Sequence, residues 1–241
     1  MNSNQLNYIR TEEKKYHEQY FEENSLFEKG TWLEKPSPIV LDFLSILNSL
    51  KPLQILDLGC GVGRNSIPIA RKVKDSGGHV VCVDLLEKAL EKLAVYAEEY
   101  KVDSAITVQC ADISDYTIEA ATFDYIVAAS SLEHVKSKSN LNKVLRALVK
   151  GTKASGINLI CMNTNIKEFT LPSGDERQPL FEILIAKDDM LSILRDAYRG
   201  WEELHVGEGL LNLEVNRNEI PVMLKADHLI YVARKPSGSF L

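Results

Sequence analysis

Between Leu53 and Ser66 the chain passes from a short apolar run, Leu53–Leu58, through three closely spaced glycines, Gly59, Gly61 and Gly63, directly into a helical pattern. Few folds accept that order. Glycine is needed where a strand turns sharply into a helix, because a Cβ there would keep a ligand away from the backbone. The first N–H groups of the helix then face the turn, and the helix dipole adds partial positive charge. Gly59, Cys60, Gly61, Gly63, Arg64 and Asn65 thus form a candidate seat for the polar end of a nucleoside-like ligand.

The rest of the chain repeats the same cadence. Strands are expected at 53–58, 79–84, 106–110, 125–129 and 157–162, with helices over 63–73, 86–100 and 140–149, the last closed by Gly151. Helix 86–100 carries Leu86, Ala89, Leu90, Leu93, Ala94 and Ala97 on one face. Strand–helix alternation of this kind means a parallel sheet covered on both faces, with ligands bound outside the carboxyl ends of the strands. Residues 163–179 read as a long polar loop over those ends. A helix capped by Asp188 or Asp189 then runs to Tyr198, with strands at 201–206 and 227–234, and 207–223 has no clear pattern. Residues 1–50 form a helical extension of the same domain, 51–241. A helix over 4–28 carries Leu6, Ile9, Tyr16, Tyr20 and Phe27, and a second, with Ser37 as N-cap and Pro38 at its first position, reaches Leu50. Tyr16, Tyr20 and Trp32 either pack this extension onto the sheet or form a lid.

Two details narrow the ligand. The dinucleotide fingerprint G-x-G-x-x-G is broken, since Arg64 stands at its third glycine and Asp57 precedes the turn. A carboxylate repels a pyrophosphate but tolerates a cationic amino group. The stretch Asp57-Leu58-Gly59-Cys60-Gly61-Val62-Gly63 resembles motif I of the class I S-adenosylmethionine-dependent methyltransferases, and ordered landmarks extend the resemblance to about residue 163. It implies a single Rossmann-like α/β domain with a seven-stranded, mostly parallel sheet in the order 3-2-1-4-5-7-6. It also implies S-adenosylmethionine as cofactor, S-adenosylhomocysteine as product and a small-molecule methyl acceptor.

The resemblance carries over to particular residues. Asp84, about twenty residues past the turn, would accept from the ribose hydroxyls beside Leu85; otherwise it caps the next helix. Asp112 and Ile113 would meet the adenine edge, or Asp112 is a turn aspartate. Asp57 would hold the cofactor's ammonium or order the glycine turn, and Ser130 at the tip of the fourth strand completes the cofactor set. Arg64 would pair with a carboxylate or an anionic substrate, or lie on the surface. His134, in Leu132-Glu133-His134-Val135, is either a general base or a packed residue. Arg177 in the polar loop joins Tyr16, Tyr20 and Trp32 as a substrate or lid residue. The turn Gly61-x-Gly63-Arg64-Asn65-Ser66 with Tyr231-Val232-Ala233-Arg234-Lys235 is similar to the tellurite-resistance methyltransferase family, whose basic His-Arg pair before the final strands has no counterpart beyond Lys225 and His228.

Composition sets outer limits. A net charge of −6 disfavours nucleic acid as main partner, and no apolar run reaches membrane-spanning length. Cys60, Cys82, Cys110 and Cys161 lack metal-ligand spacing and read as buried, reduced thiols of a cytoplasmic protein, with no metal expected. The competing readings are an NAD(P)-dependent oxidoreductase and a non-enzymatic S-adenosylmethionine-binding module.

Overall fold

The computed structural model describes residues 2–47 and 51–238. Continuous apolar runs bounded by turns become the central parallel strands: β1 (Gln54–Leu58), β2 (His79–Asp84), β3 (Ile106–Cys110) and β4 (Phe123–Ala129). Helices α3 (Ser66–Val73) and α4 (Glu87–Glu99) connect β1 to β2 and β2 to β3, and α5 (Lys138–Gly151) follows β4. β5 (Thr152–Thr170) follows, with a two-residue strand β6 (Glu176–Arg177), helix α6 (Lys187–Ala197), and the long hairpin β7 (Glu202–Arg217) and β8 (Ile220–Arg234). The sheet order is β3-β2-β1-β4-β5-β8-β7, with β6 beside β5. Leaving aside β6, this is the expected 3-2-1-4-5-7-6, the last two strands antiparallel. Two apolar layers fill the faces, one centred on Ile55, Val80 and Leu93 and the other on Leu56, Ile126 and Leu145.

The N-terminal extension comprises α1 (Ser3–Glu23) and α2 (Pro38–Ser45). Asn2 caps α1 by accepting from the Gln5 amide, and Ile9 and Phe21 are buried on the domain. Ser37 caps α2 by position but makes no side-chain bond, and α2 stops at Ser45, short of the expected Leu50. Positions 48–50 of that expectation, and 239–241 of the domain, lie outside the described residues. Gly151 is the last helical residue of α5 and not its C-cap. A Cβ there would lie 2.3 Å from Ile118 Cγ2, so the glycine serves close packing.

The larger correction concerns 163–179 and 207–223. Residues 163–170 are the outer half of β5, which kinks at a bulge between Thr164 and Lys167 and pairs with β8 as far as Thr170–Val222. β7 runs through the unreadable segment to a two-residue turn, Asn218-Glu219, both at positive φ, as the twist of a tight hairpin requires. A small third core, including Ile166, Phe181, Val215, Val222 and Leu224, lies under this projecting hairpin. The pattern was hidden because the inward positions of these strands include Glu168 and Arg217, both buried and charged. Cys110 is exposed, contrary to expectation, because β3 is the edge strand. Cys60, Cys82 and Cys161 are buried and free. Among the described residues no helix is long and apolar enough to cross a membrane.

Candidate active site

A cavity of about 800 Å³ opens at the carboxyl ends of the parallel strands, within the range of small-ligand pockets. The glycine turn forms its floor. Gly59 has φ +84°, and a Cβ on it would lie 2.2 Å from Ser131 Cβ, so the turn and the tip of β4 approach as only glycine permits. The Gly59 and Cys60 amides donate to Val83 O at 2.7 and 3.1 Å, and the Ser131 hydroxyl donates to Leu58 O at 2.7 Å. The Gly61 amide donates to Asp84 Oδ2 at 2.8 Å, and the Leu86 amide to Oδ1 at 2.9 Å. Asp84 is thereby fixed at the tip of β2, with a further lone pair on each oxygen.

The structure brings most of the sequence-identified residues to this cavity. Gly59, Cys60, Gly61, Arg64, Asn65, Asp84, Leu85, Asp112, Ile113, Ser130, His134, Tyr16 and Trp32 line it. Four do not. Gly63 packs behind the turn, where a Cβ would meet Leu93 at 3.1 Å. Tyr20 backs Trp32, the rings stacked 5.0 Å apart. Arg177 lies on β6 with its Nε 3.7 Å from Glu168. Asp57 is buried under the turn, where the Ser66 hydroxyl donates to it at 2.5 Å; burial pushes its carboxyl up to about 6. It orders the start of α3 from below.

Arg64 turns toward the extension. Its guanidinium donates to Trp32 O at 3.0 Å and lies 5.6 Å from the Trp32 ring centroid. Asn65 Oδ1 accepts from the Ser37 amide at 3.0 Å. Asp112 is already engaged: Arg10 of α1 donates to it at 2.6 Å, the Ser114 amide at 2.8 Å, and Lys136 Nζ lies at 3.3 Å. Arg10 also donates to His134 O at 3.1 Å. The extension thus covers the cavity from Asp112 to the glycine turn.

Beyond the turn lies a region the sequence did not disclose. Phe181 stacks on His134 at 5.3 Å, and Glu182 Oε2 lies 3.0 Å from His134 Nδ1. Burial opposes charge on His134, but Glu182, then Glu13 and Glu133, outweigh it and raise its pKa to about 9. At neutral pH this imidazole is charged and donates; it has no lone pair to act as a base. Glu13 faces it from α1. Burial disfavours its charge too, yet His17, His134 and Arg217 bring it down to about 2. Arg217, from the end of β7, is 2% exposed, pairs with Glu13 Oε1 at 2.5 Å and Glu168 Oε1 at 2.9 Å, and lies between the Tyr16 and Phe181 rings.

A second imidazole has the opposite character. Asn163 donates to Glu133 Oε1 through its backbone N–H at 3.2 Å and its Nδ2 at 2.8 Å. With Nδ2 so committed, Oδ1 faces His228 Nδ1 at 3.0 Å and must accept from it. His228 therefore carries its proton on Nδ1 and leaves Nε2 bare. Burial, and then the Arg64 guanidinium, hold its pKa below the usual imidazole value, so it is neutral at pH 7. His228 lines the same cavity. Sequence reading noted it only as a poor match to a basic pair, because its partners lie 65 and 95 positions away, at Asn163 and, beyond it, Glu133.

The site fits a nucleoside cofactor by its own geometry: a backbone turn that only glycine can make, an acid at the tip of β2 and another at the tip of β3. Fold and site together define the class I methyltransferase architecture. Residues 55–156 match the family model described as a methyltransferase domain. A ubiquinone biosynthesis O-methyltransferase of Coxiella burnetii is 32% identical over 114 residues, 47% of this chain and 46% of that protein. Its counterpart in Chromobacterium violaceum is 25% identical over 182 residues, 75% of each chain. The chain thus spans about half the length of the Coxiella relative it matches. Among solved structures, TehB from Haemophilus influenzae shares the fold, with a TM-score of 0.63 and 22% identity over 91% of this chain and 67% of that one.

Proposed function

We propose that the protein transfers a methyl group from S-adenosylmethionine to a small-molecule nucleophile by in-line displacement. One observation carries this reading: a single cavity at the carboxyl ends of β1, β2, β3 and β4 joins the glycine turn, Asp84, Asp112 and Ser130 to a second chamber between α1 and the β7–β8 hairpin. When bound, the cofactor supplies an activated sulfonium methyl, so the protein's task is to hold two partners in line and dry. Asp84 and Leu85 hold the ribose side, Asp112 and Ile113 the adenine side, and the turn from Gly59 to Asn65 the amino-acid tail.

The acceptor lies in the second chamber. Phe181, Leu211, Leu213 and Leu224 form its apolar wall. His228 Nε2 faces an acceptor that brings its own proton, such as a hydroxyl, and takes that proton as the methyl arrives. In this role His228 replaces His134, whose charge suits it to orienting a negative or polar group.

Calorimetric titration with S-adenosylmethionine, S-adenosylhomocysteine and NADH tests the cofactor. Micromolar binding of the first two is expected, weakened at least about tenfold by Asp84→Ala through loss of a charged hydrogen-bond partner. Heat with NADH alone would overturn the reading. Incubation with methyl-labelled cofactor and a metabolite extract then identifies the labelled acceptor.

A further inference from the structure

Glu13 and His17 sit one turn apart on α1, and their side chains meet, His17 Nε2 lying 3.5 Å from Glu13 Oε2. His134 faces them from the segment after β4. One ligand atom from each of the three lies within 4.8 Å of the other two. A tetrahedral zinc-like ion with bonds of about 2.0–2.1 Å separates its ligands by roughly 3.4 Å, so small side-chain rotations close the set. We propose that Glu13, His17 and His134 form a divalent transition-metal site that opens into the cavity and fastens α1 over it.

Three features point to an ion and not merely to a polar cluster. A carboxylate and an imidazole at i and i+4 present their donors on the same helix face. His134 has the outer support of a metal-bound histidine: its Nδ1–H is engaged by the buried Glu182 carboxylate, which fixes the ring, and Nε2 ligates as the incoming ion displaces its proton to solvent. Glu13 divides its oxygens, Oε1 pairing with Arg217 and Oε2 turning to His17. Its free oxygen therefore already faces the proposed ion, and Arg217 steadies the carboxylate from behind.

Two imidazoles and one carboxylate suit zinc, cobalt or iron(II) rather than magnesium or calcium. Three protein ligands leave at least one position for water or for an oxygen or nitrogen of a bound molecule. Metal binding itself does not depend on the methyltransferase reading; only the ion's use does. As a Lewis acid beside the second chamber it would hold an acceptor hydroxyl and lower its pKa.

The test uses the full chain, without an affinity tag, stripped with chelator and titrated with Co(II) in the absence of any methyl donor. One equivalent is expected to bind with the visible absorption of a four- or five-coordinate cobalt centre. His17 is 29% exposed, so His17→Ala is expected to fold normally and to lower Co(II) affinity by at least about a hundredfold. Glu182→Gln touches no metal and is expected to cost about 10–100-fold through loss of outer-shell support. Absence of the absorption band, or stoichiometric binding unchanged in His17→Ala, overturns the site. Parallel titration with S-adenosylhomocysteine keeps the two readings apart: loss of cobalt binding with retained cofactor binding refutes only the metal site.

Discussion

At the scale of single residues, the cavity divides its ionisable groups by environment. Asp57 is buried with one hydroxyl for company, and its carboxyl rises to about 6 from an ordinary 3.8. A raised acid contributes stability below its unfolded pKa and loses it as pH rises through the folded value. Asp57→Asn keeps an acceptor for Ser66 but carries no charge. Relative to the wild type, its stability is expected to rise between pH 4 and pH 7.5 by on the order of 2 kcal/mol, read from urea unfolding at the two pH values. His228 offers a second check. Nitrogen-detected NMR at pH 7 should find its Nδ1 protonated and Nε2 bare, with a titration midpoint below 6.5. Asn163→Leu should erase that tautomer preference; an Nε2–H form in the wild type would remove His228 as proton acceptor. The contrast with His134 follows from neighbours: carboxylates surround one ring, an amide and a guanidinium the other.

At the scale of elements, the extension and the β7–β8 hairpin act as one unit around Arg217. That guanidinium is buried with Glu13 of α1 and Glu168 of β5, so its removal strands two carboxylates away from water. Arg217→Ala is expected to cost about 3–5 kcal/mol. The loss should be local: hydrogen exchange should accelerate in α1 and in the outer halves of β5, β7 and β8, while β1–β4 stay protected. Arg10 gives a smaller effect. It meets Asp112 in a partly exposed pair and also holds His134 O. Arg10→Ala should therefore loosen α1 by about 1–2 kcal/mol, visible as faster proteolysis near residues 24–37. The sequence disclosed the inner halves of these elements and not the outer ones. β1 to β4 are continuous apolar runs because both of their faces are covered, and they read at once. The outer hairpin buries its charged residues in pairs across 49 positions between Glu168 and Arg217, and no local window can see such a pair. Two-residue alternation in Leu211, Leu213 and Val215 was the available signal, and Asn218-Glu219 marked the turn.

At the scale of the whole molecule, the half of the cavity proposed to hold the cofactor is joined to the half proposed to hold the acceptor. The first was legible because backbone geometry demands glycine at Gly59 and Gly61, and because acids at strand tips recur at fixed distances from that turn. The second was not, because its groups come from α1, the segment after β4, residues 178–186 and the hairpin, and only folding brings them together. The matched family segment ends at residue 156, before most of that half begins. Saturating S-adenosylhomocysteine, at a hundredfold its Kd, is expected to add about 2.7 kcal/mol to global stability.

The helix carrying Arg10 and Glu13 roofs both halves at once, and the passage from Asn24 to Ser37 that follows it contains no helix or strand. A roof of this kind must lift before either molecule can leave. On the proposed function, turnover is expected to be paced by this hinge, so the steady-state rate should fall as solvent viscosity rises while a single methyl transfer within the cavity keeps its speed.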